Sequence, residues 1–318
     1  MFSIIIPLFN KEESVTASIH SVLEQTFEEF ELIIVNDGST DQSVERVQAI
    51  EDPRIRLIDQ VNQGVSFARN TGISHAKNEY IAFLDADDLW HPVYLQCMSE
   101  CIRHYPNYQW WGADYISTIG EEAIHENDSK GYAFKDALVK VVDFFEVSRK
   151  RYAIHMTSFV ARRDALVGPA RFPIGFKYYE DLEVFCRLAQ MSPLPMIPYV
   201  LSYWRQDAEN RACNRRKIMP LPPIFEDTIR LIRAGGMKRA DQRTQCLFIM
   251  GLLLNEVALM CLSGQIRSTA RAYARMAISI SAFRWRGLKA YAYCWMPSFV
   301  LRGLFACTRK FRRSILAD

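Results

Sequence analysis

The sequence predicts an α/β fold: a mixed, mainly parallel sheet flanked by helices, followed by a C-terminal helical appendage. Over the first hundred residues, short β-rich runs alternate with amphipathic helical patterns, as βαβ units require. Each run ends in a polar loop at its carboxyl end, where open α/β sheets bind ligands. After Asp207 the pattern becomes helical, with a Pro-rich joint at Pro220, Pro222 and Pro223. These observations divide the chain into 1–219, the sheet domain, and 220–318, a basic helical region.

Phe2 to Pro7 reads as a core strand, followed by a helix over Ser14 to Gln25. A second strand, Phe30 to Asn36, carries the apolar run Ile33, Ile34 and Val35, and a helix over Gln42 to Ile50 follows. Ile55 to Asp59 and Tyr80 to Asp85 give two more strands, separated by a helix over Val65 to Ala76. Their loops are Asn10 to Glu13, Asn36 to Asp41, Asn62 to Gly64 and Asp85 to Asp88, so the expected site is four loops wide. From Cys97 to Asp164 the pattern is mixed, with a strand through Trp110 and Trp111 that fits an antiparallel addition to the sheet. Further helices are expected near Phe176 to Leu188, Thr228 to Ala234, Arg243 to Leu262 and Gln265 to Ile280.

At 318 residues and 49% hydrophobic content, the chain can bury a full core. Its eight cysteines form no CxxC pair, which argues against a zinc site or a disulfide framework and fits a reducing cytosol. The opening MFSIIIPLFNKEES lacks a basic, cleavable leader pattern, so export is not expected. Neither GxGxxG nor GxxxxGK[ST] is present, which removes the common dinucleotide and P-loop classes.

The chemistry concentrates in Tyr80 to Trp90, where an apolar strand runs into Asp85, Asp87 and Asp88. Carboxylates this close repel one another, and a hard divalent ion such as Mn2+ or Mg2+, shared with substrate phosphates, relieves the repulsion. The competing account is a helix cap at Asp88, with Trp90 and Pro92 opening the next helix. Capping needs one Asp and leaves the other two unexplained.

Five motifs in order resemble the family-2 inverting glycosyltransferases of GT-A fold, over roughly Met1 to Asn210. They are Ser3-Ile4-Ile5-Ile6-Pro7-Leu8-Phe9-Asn10, Val35-Asn36-Asp37-Gly38-Ser39-Thr40-Asp41, Asn62-Gln63-Gly64 with Ala68-Arg69-Asn70, Asp85-Ala86-Asp87-Asp88, and Tyr179 to Leu188 around Glu180-Asp181. The resemblance implies a nucleotide-diphosphate sugar donor, with UDP expected, and a metal held by Asp87, with Asp85 on the ribose or a metal-bound water. Pro7, Leu8 and Asn10 would face the base, Asp37 would accept from uracil N3-H, and Asn62 and Gly64 would line the pocket. Glu12 would reach the ribose or serve as first-turn acid, and Arg69 is expected to turn toward the nucleotide rather than to solvent. Asp181, beside Glu180, would be the base that deprotonates the acceptor hydroxyl, with its pKa raised by burial or by Glu180.

In one respect the chain departs from the family pattern. Many relatives carry a His in a segment resembling Tyr203-Trp204-Arg205-Gln206, whereas here no His follows His155, so Arg205 or Gln206 must replace it or the diphosphate is held differently. The processive QxxRW signature is also missing, which favours transfer of one sugar per encounter.

From Gly264 onward, eleven Lys and Arg face the single Asp318, a charge of +10, so the preceding part carries −7. The apolar stretches Cys246 to Leu254 and Ala290 to Leu301 fall well short of the ~20 residues of a spanning helix. Trp285, Trp295, Phe299, Phe305 and Phe311 interleave with basic residues, a pattern that fits an anionic membrane surface better than nucleic acid, for which no motif is present. The expected location is cytoplasmic, peripheral at the inner face of the cell membrane, with a saccharide or lipid-linked acceptor and a homo-oligomer open. A non-catalytic sugar-nucleotide or glycan binding subunit is the alternative function. A nucleotidyltransferase ranks last, because Asn10-Lys11-Glu12-Glu13 is not a Gly-rich phosphate loop.

Overall fold

The structure, a computed structural model, describes residues 1–120, 124, 127, 132–135, 138–149, 153–176, 179–209, 223–233, 244–245, 247–249, 251–254, 257, 267–278 and 284–296. The chain divides into two compact units, Met1–Phe144 with Ala153–Pro222, and Phe145–Tyr152 with Pro223–Asp318.

The first unit is a nine-stranded sheet. Its parallel half has the order β3-β2-β1-β4, formed by β1 (Phe2–Leu8), β2 (Phe30–Asp37), β3 (Ile55–Gln60) and β4 (Tyr80–Phe83). β1 is buried along almost its whole length because Ile4, Ile5, Ile6 and Leu8 face packed layers on both sides, the condition of a central parallel strand. Helices α1 (Val15–Leu23), α2 (Ser43–Gln48) and α3 (Val65–His75) form the crossovers. α3 approaches β1 closely at Gly72, where a Cβ would lie 2.5 Å from Ile5 Cγ2. Only a residue without a side chain allows that approach.

Beyond β4 the sheet turns mixed. β8 (Phe159–Arg162) runs antiparallel between β4 and β6 (Trp110–Thr118), and β6 pairs in parallel with the twelve-residue β9 (Leu194–Arg205). The antiparallel addition expected through Trp110 and Trp111 is therefore β8, with β6 beside it. β5 (Leu89–Trp90) and β7 (Lys140–Val142) pair antiparallel with β9. Helix α4 (Tyr94–His104) follows β5. The helix-cap account of Asp88 fails here: the next two residues enter β5, Trp90 pairs with Ser202, and the cap of α4 is Val93. β4 also ends at Phe83, two residues earlier than expected, because the backbone turns and Asp88 N donates to Asp85 O at 3.0 Å.

Helix α5 (Phe144–Ser148) begins on the last residue of this stretch of the first unit. Within the first unit lie also α6 (Arg163–Val167) and α7 (Glu180–Met191), the latter burying Leu182, Val184, Phe185 and Leu188. In the second unit, α8 (Pro223–Arg233) starts five residues before the expected Thr228, since Pro223 suits a first helical turn. α9 (Arg267–Ile278) and α10 (Arg284–Tyr293) follow. Pro220, Pro222, Phe299, Phe305, Phe311 and the basic positions after 296 lie outside the described residues.

Candidate active site

Because β1 lies between β2 and β4, the loops after these three strands meet at one edge, and the loop after β3 adjoins them. Their side chains are largely spent on one another. Asn10 adopts a left-handed conformation, φ 51°, and its Oδ1 accepts from Thr40 N at 2.8 Å while its own N donates to Ser39 Oγ at 3.1 Å. Glu12 Oε2 accepts from Gln42 N at 2.8 Å, at the start of α2. Leu8 is fully buried, so only its backbone can face a ligand, while Pro7 is half-buried.

Asp37 is also buried. It accepts from Gln60 Nε2 at 2.7 Å and Gln63 N at 2.9 Å on Oδ1, and from Gly64 N at 2.8 Å on Oδ2. A carboxylate offers about four acceptor positions, so a contact to a base would fall to the remaining one on Oδ2. Gly38 has φ 74°, and a Cβ there would meet Asn62 N at 3.0 Å, which explains the glycine in the motif. Gly64 has φ 90°, and a Cβ there would face open space, so the glycine is needed for its conformation rather than for clearance.

The acidic loop after β4 is held by two cations. Arg69, on α3, is buried: its Nη2 donates to Asp85 Oδ1 at 2.8 Å, its Nη1 to Glu180 Oε1 at 3.0 Å, and its guanidinium lies 5.3 Å from the Phe172 ring centre. Its planar fork is thus shared between two carboxylates of the cluster. Lys11 Nζ lies 2.6 Å from Asp87 Oδ2 and donates to Glu209 O at 2.5 Å. Ala86 is buried, and its carbonyl accepts from Ser14 Oγ at 2.9 Å, whose partner in turn is Glu209 Oε1 at 2.9 Å.

The three aspartates are therefore electrostatically distinct. Burial pushes the Asp85 carboxyl upward, but Arg69, aided by His155 and Lys11, holds it below the ordinary carboxylate range. At Asp87 burial prevails over the opposing pull of Lys11, with Asp85 and Glu209 adding repulsion, and its pKa is raised. Asp88 is raised well above the usual value by burial and then by Asp87 and Asp85. Its Oδ1 accepts from Arg205 N at 3.0 Å, while Oδ2 is buried without a hydrogen bond, 3.7 Å from His155 Nδ1.

Helix α7 brings the second acidic pair. It is entered through Tyr179, whose φ of 64° is left-handed, a strained conformation for an aromatic residue. Glu180 is tied to Arg69, so Arg69 links α7 to the acidic loop. Asp181 is partly exposed, and burial, then repulsion from Glu180, raise its pKa to about 7 despite Leu182 N and Arg69. That value suits a group that accepts a proton near neutrality.

Arg205 ends β9 with its Nε 3.5 Å from Asp207 Oδ1, and Gln206 donates its side-chain amide to Ser117 Oγ. Besides Ser14, two charged or titratable residues outside the motifs reach the acidic loop, Lys11 and His155. The signal for Lys11 is its position in the loop after β1, beside the loop after β4. His155 has no such signal, since it is brought in by the segment before β8, its ring stacked on Trp204 at 5.1 Å and near Tyr115 at 5.4 Å.

Asp87 fits a cation. Its oxygen donors suit a hard divalent ion, and the Lys11 ammonium is a stand-in positive charge on Oδ2. Among the described residues no group of three or more His, Cys, Asp or Glu is arranged to hold a metal, so an ion at Asp87 would take further ligands from outside the protein. A cleft of about 460 Å³ along α4, lined by Val93, Cys97, Glu100, His104, Tyr132 and Phe134 among others, shares no residue with this cluster.

Residues 3–154 match the family model described as glycosyl transferase family 2. An uncharacterized glycosyltransferase, YibD of Escherichia coli strain K12, is 44% identical over 98 residues, 30% of this chain and 28% of its own length. The Escherichia coli UDP-Glc:alpha-D-GlcNAc-diphosphoundecaprenol beta-1,3-glucosyltransferase WfgD is 42% identical over 91 residues, 28% of this chain and 36% of its own. The chain thus spans only about a third of these relatives in its matched part. Among solved structures, S. aureus TarS 1–349 in complex with UDP-GlcNAc superposes with a TM-score of 0.64 at 16% identity, covering 91% of this chain and 89% of that one.

Proposed function

We propose, from the match of residues 3–154 to the glycosyl transferase family 2 model, a metal-dependent, inverting, non-processive transfer of a sugar from a UDP-sugar to a hydroxyl of a saccharide or lipid-linked saccharide. The observation that carries this reading is Asp181: a partly exposed carboxyl with a pKa of about 7, joined to the acidic loop by Glu180, Arg69 and Asp85. The TarS complex with UDP-GlcNAc and the substrates in the name of WfgD support a UDP-sugar donor, and WfgD supports a lipid-linked acceptor in cell-surface polysaccharide synthesis.

Inverting transfer needs a base on the face of the sugar opposite the diphosphate. Asp181, ionised, takes the acceptor proton as the oxygen attacks the anomeric carbon. Glu180, held by Arg69, fixes the start of α7 and so the direction of the Asp181 carboxyl. Asp87 would hold Mn2+ or Mg2+, with Asp85 at the ribose or a metal-bound water. When bound, that ion supplies Lewis-acid stabilisation of the charge that develops on the departing diphosphate. Asp37 and Gly64 shape the base pocket through the loops they join.

The second unit supports contact with an anionic membrane surface. Arg267, Arg271 and Arg275 recur along α9, and the Arg271 guanidinium lies 4.6 Å from the ring of Trp295, which is 61% exposed. Among the described residues no helix is long and apolar enough to cross a membrane.

Calorimetry with UDP, GDP and CDP, with and without Mn2+, tests the donor, and the Asp181→Asn variant tests the base. Metal-dependent preference for UDP is expected. D181N should lose at least about 100-fold in transfer rate, the lower range for general base catalysis, with UDP affinity within twofold of wild type. Full transfer by D181N would remove Asp181 from the chemistry. Absence of binding to any nucleotide would overturn the donor assignment.

A further inference from the structure

The acidic loop would repel a diphosphate as strongly as it attracts a cation, since Asp85, Asp87 and Asp88 lie together with Glu180 and Asp181 near by. Arg69 is committed between two carboxylates within the protein. Lys11 is differently placed. Its side chain is 12% exposed, on a loop rather than a helix, and its flexible stem ends in a compact ammonium with three donors. Two of them point to Asp87 Oδ2 at 2.6 Å and Glu209 O at 2.5 Å. Lys11 covers Asp87 Oδ2, so a cation chelated by both oxygens of Asp87 has to displace the ammonium.

We propose that Lys11 is the resident counter-cation of Asp87, displaced by the divalent ion when the UDP-sugar enters and then transferred to the donor diphosphate. This rests on the assignment of a metal to Asp87. In the donor-free protein, a divalent ion competes with an ammonium attached to the same chain and binds weakly. Once a diphosphate is present, the ammonium has a second anion to pair with, and the competition ends. Metal and nucleotide thereby strengthen each other, and this coupling is reciprocal. Lys11 is then a positioning residue for the metal and a binding residue for the diphosphate.

The experiment is Mn2+ binding to the full chain, read from the paramagnetic signal of unbound Mn2+, with and without UDP, for wild type, Lys11→Met and Lys11→Gln. Thermal unfolding confirms that each variant is folded, and two side chains guard against a single poorly folded one. Both variants are expected to bind Mn2+ about tenfold more tightly than wild type without UDP. The gain in Mn2+ affinity produced by UDP should shrink by a similar factor. Unchanged or weaker Mn2+ binding in both variants without UDP, with wild type still binding Mn2+ when UDP is present, would overturn this inference alone. Failure of wild type to bind Mn2+ even with UDP would overturn the metal assignment and the inference together.

Discussion

Asp181 and Arg69 show how single side chains shape the electrostatics of the acidic cluster. Raised to about 7 by burial and by Glu180, Asp181, as the proposed base, must lose its proton before it can accept one. Transfer at limiting substrate should therefore fall about tenfold per pH unit below about 7 and level off above it, measured as kcat/KM against pH. The same shift has a consequence for stability. The folded state holds the Asp181 proton more tightly than the unfolded chain, whose Asp titrates near 4. The stabilisation is therefore complete below about 4 and is lost as pH rises through about 7. D181N, a neutral mimic of the protonated acid, should gain stability relative to wild type between pH 5 and pH 9. A constant difference in unfolding midpoint across that range would contradict the shift. Arg69 stands in a motif of the sequence, but its partners are not legible there, because Asp85 and Glu180 lie 16 and 111 positions away.

At the scale of elements, the parallel half of the sheet is the most legible part. β1 and β2 are apolar runs buried on both faces, Gly38 closes β2, and Gly64 opens α3. Legibility falls where pairing is remote. β5 has two residues, too few for a period, and exists because β9 passes beside it. For that reason Asp88 resembles a helix cap in the sequence, while in the fold it joins a strand end and accepts from Arg205 N. Lys11 reads as part of an ordinary polar loop for the same reason: its charge acquires meaning only beside Asp87. The contact of α3 with β1 gives a direct test. In Gly72→Ala the new Cβ must displace Ile5, and overpacking of this kind costs about 1–3 kcal/mol in denaturant unfolding. Because Arg69 sits one turn earlier on the same helix, UDP affinity should fall as well. A variant with native stability would show that α3 can move away from β1 without strain.

Over the whole molecule, charge is divided unequally between a slightly acidic front and a basic end, −7 against +10. Each basic group near an anionic surface contributes about 1 kcal/mol, and the effect decays within a Debye length of roughly 8 Å at physiological salt. Truncation after Gly264 should therefore release the protein from vesicles rich in phosphatidylserine, and raising salt to about 1 M should release the full chain. Sedimentation with vesicles measures both. Retention of the truncated protein would place the contact elsewhere.

The acidic loop joins the beginning of its domain to the end, since Lys11 donates to Glu209 across 198 positions and Asp88 receives Arg205 N across 117. On a ribosome adding roughly 5–20 residues each second, about 10–40 s separate the emergence of the two ends. Throughout that interval the nascent chain carries its aspartates without the strand that completes their surroundings. A translation product released early, even one retaining β1 to β8, therefore lacks the Glu209 and Arg205 groups that meet Lys11 and Asp88. The surroundings of the acidic loop are complete only when the last strand of the sheet is in place.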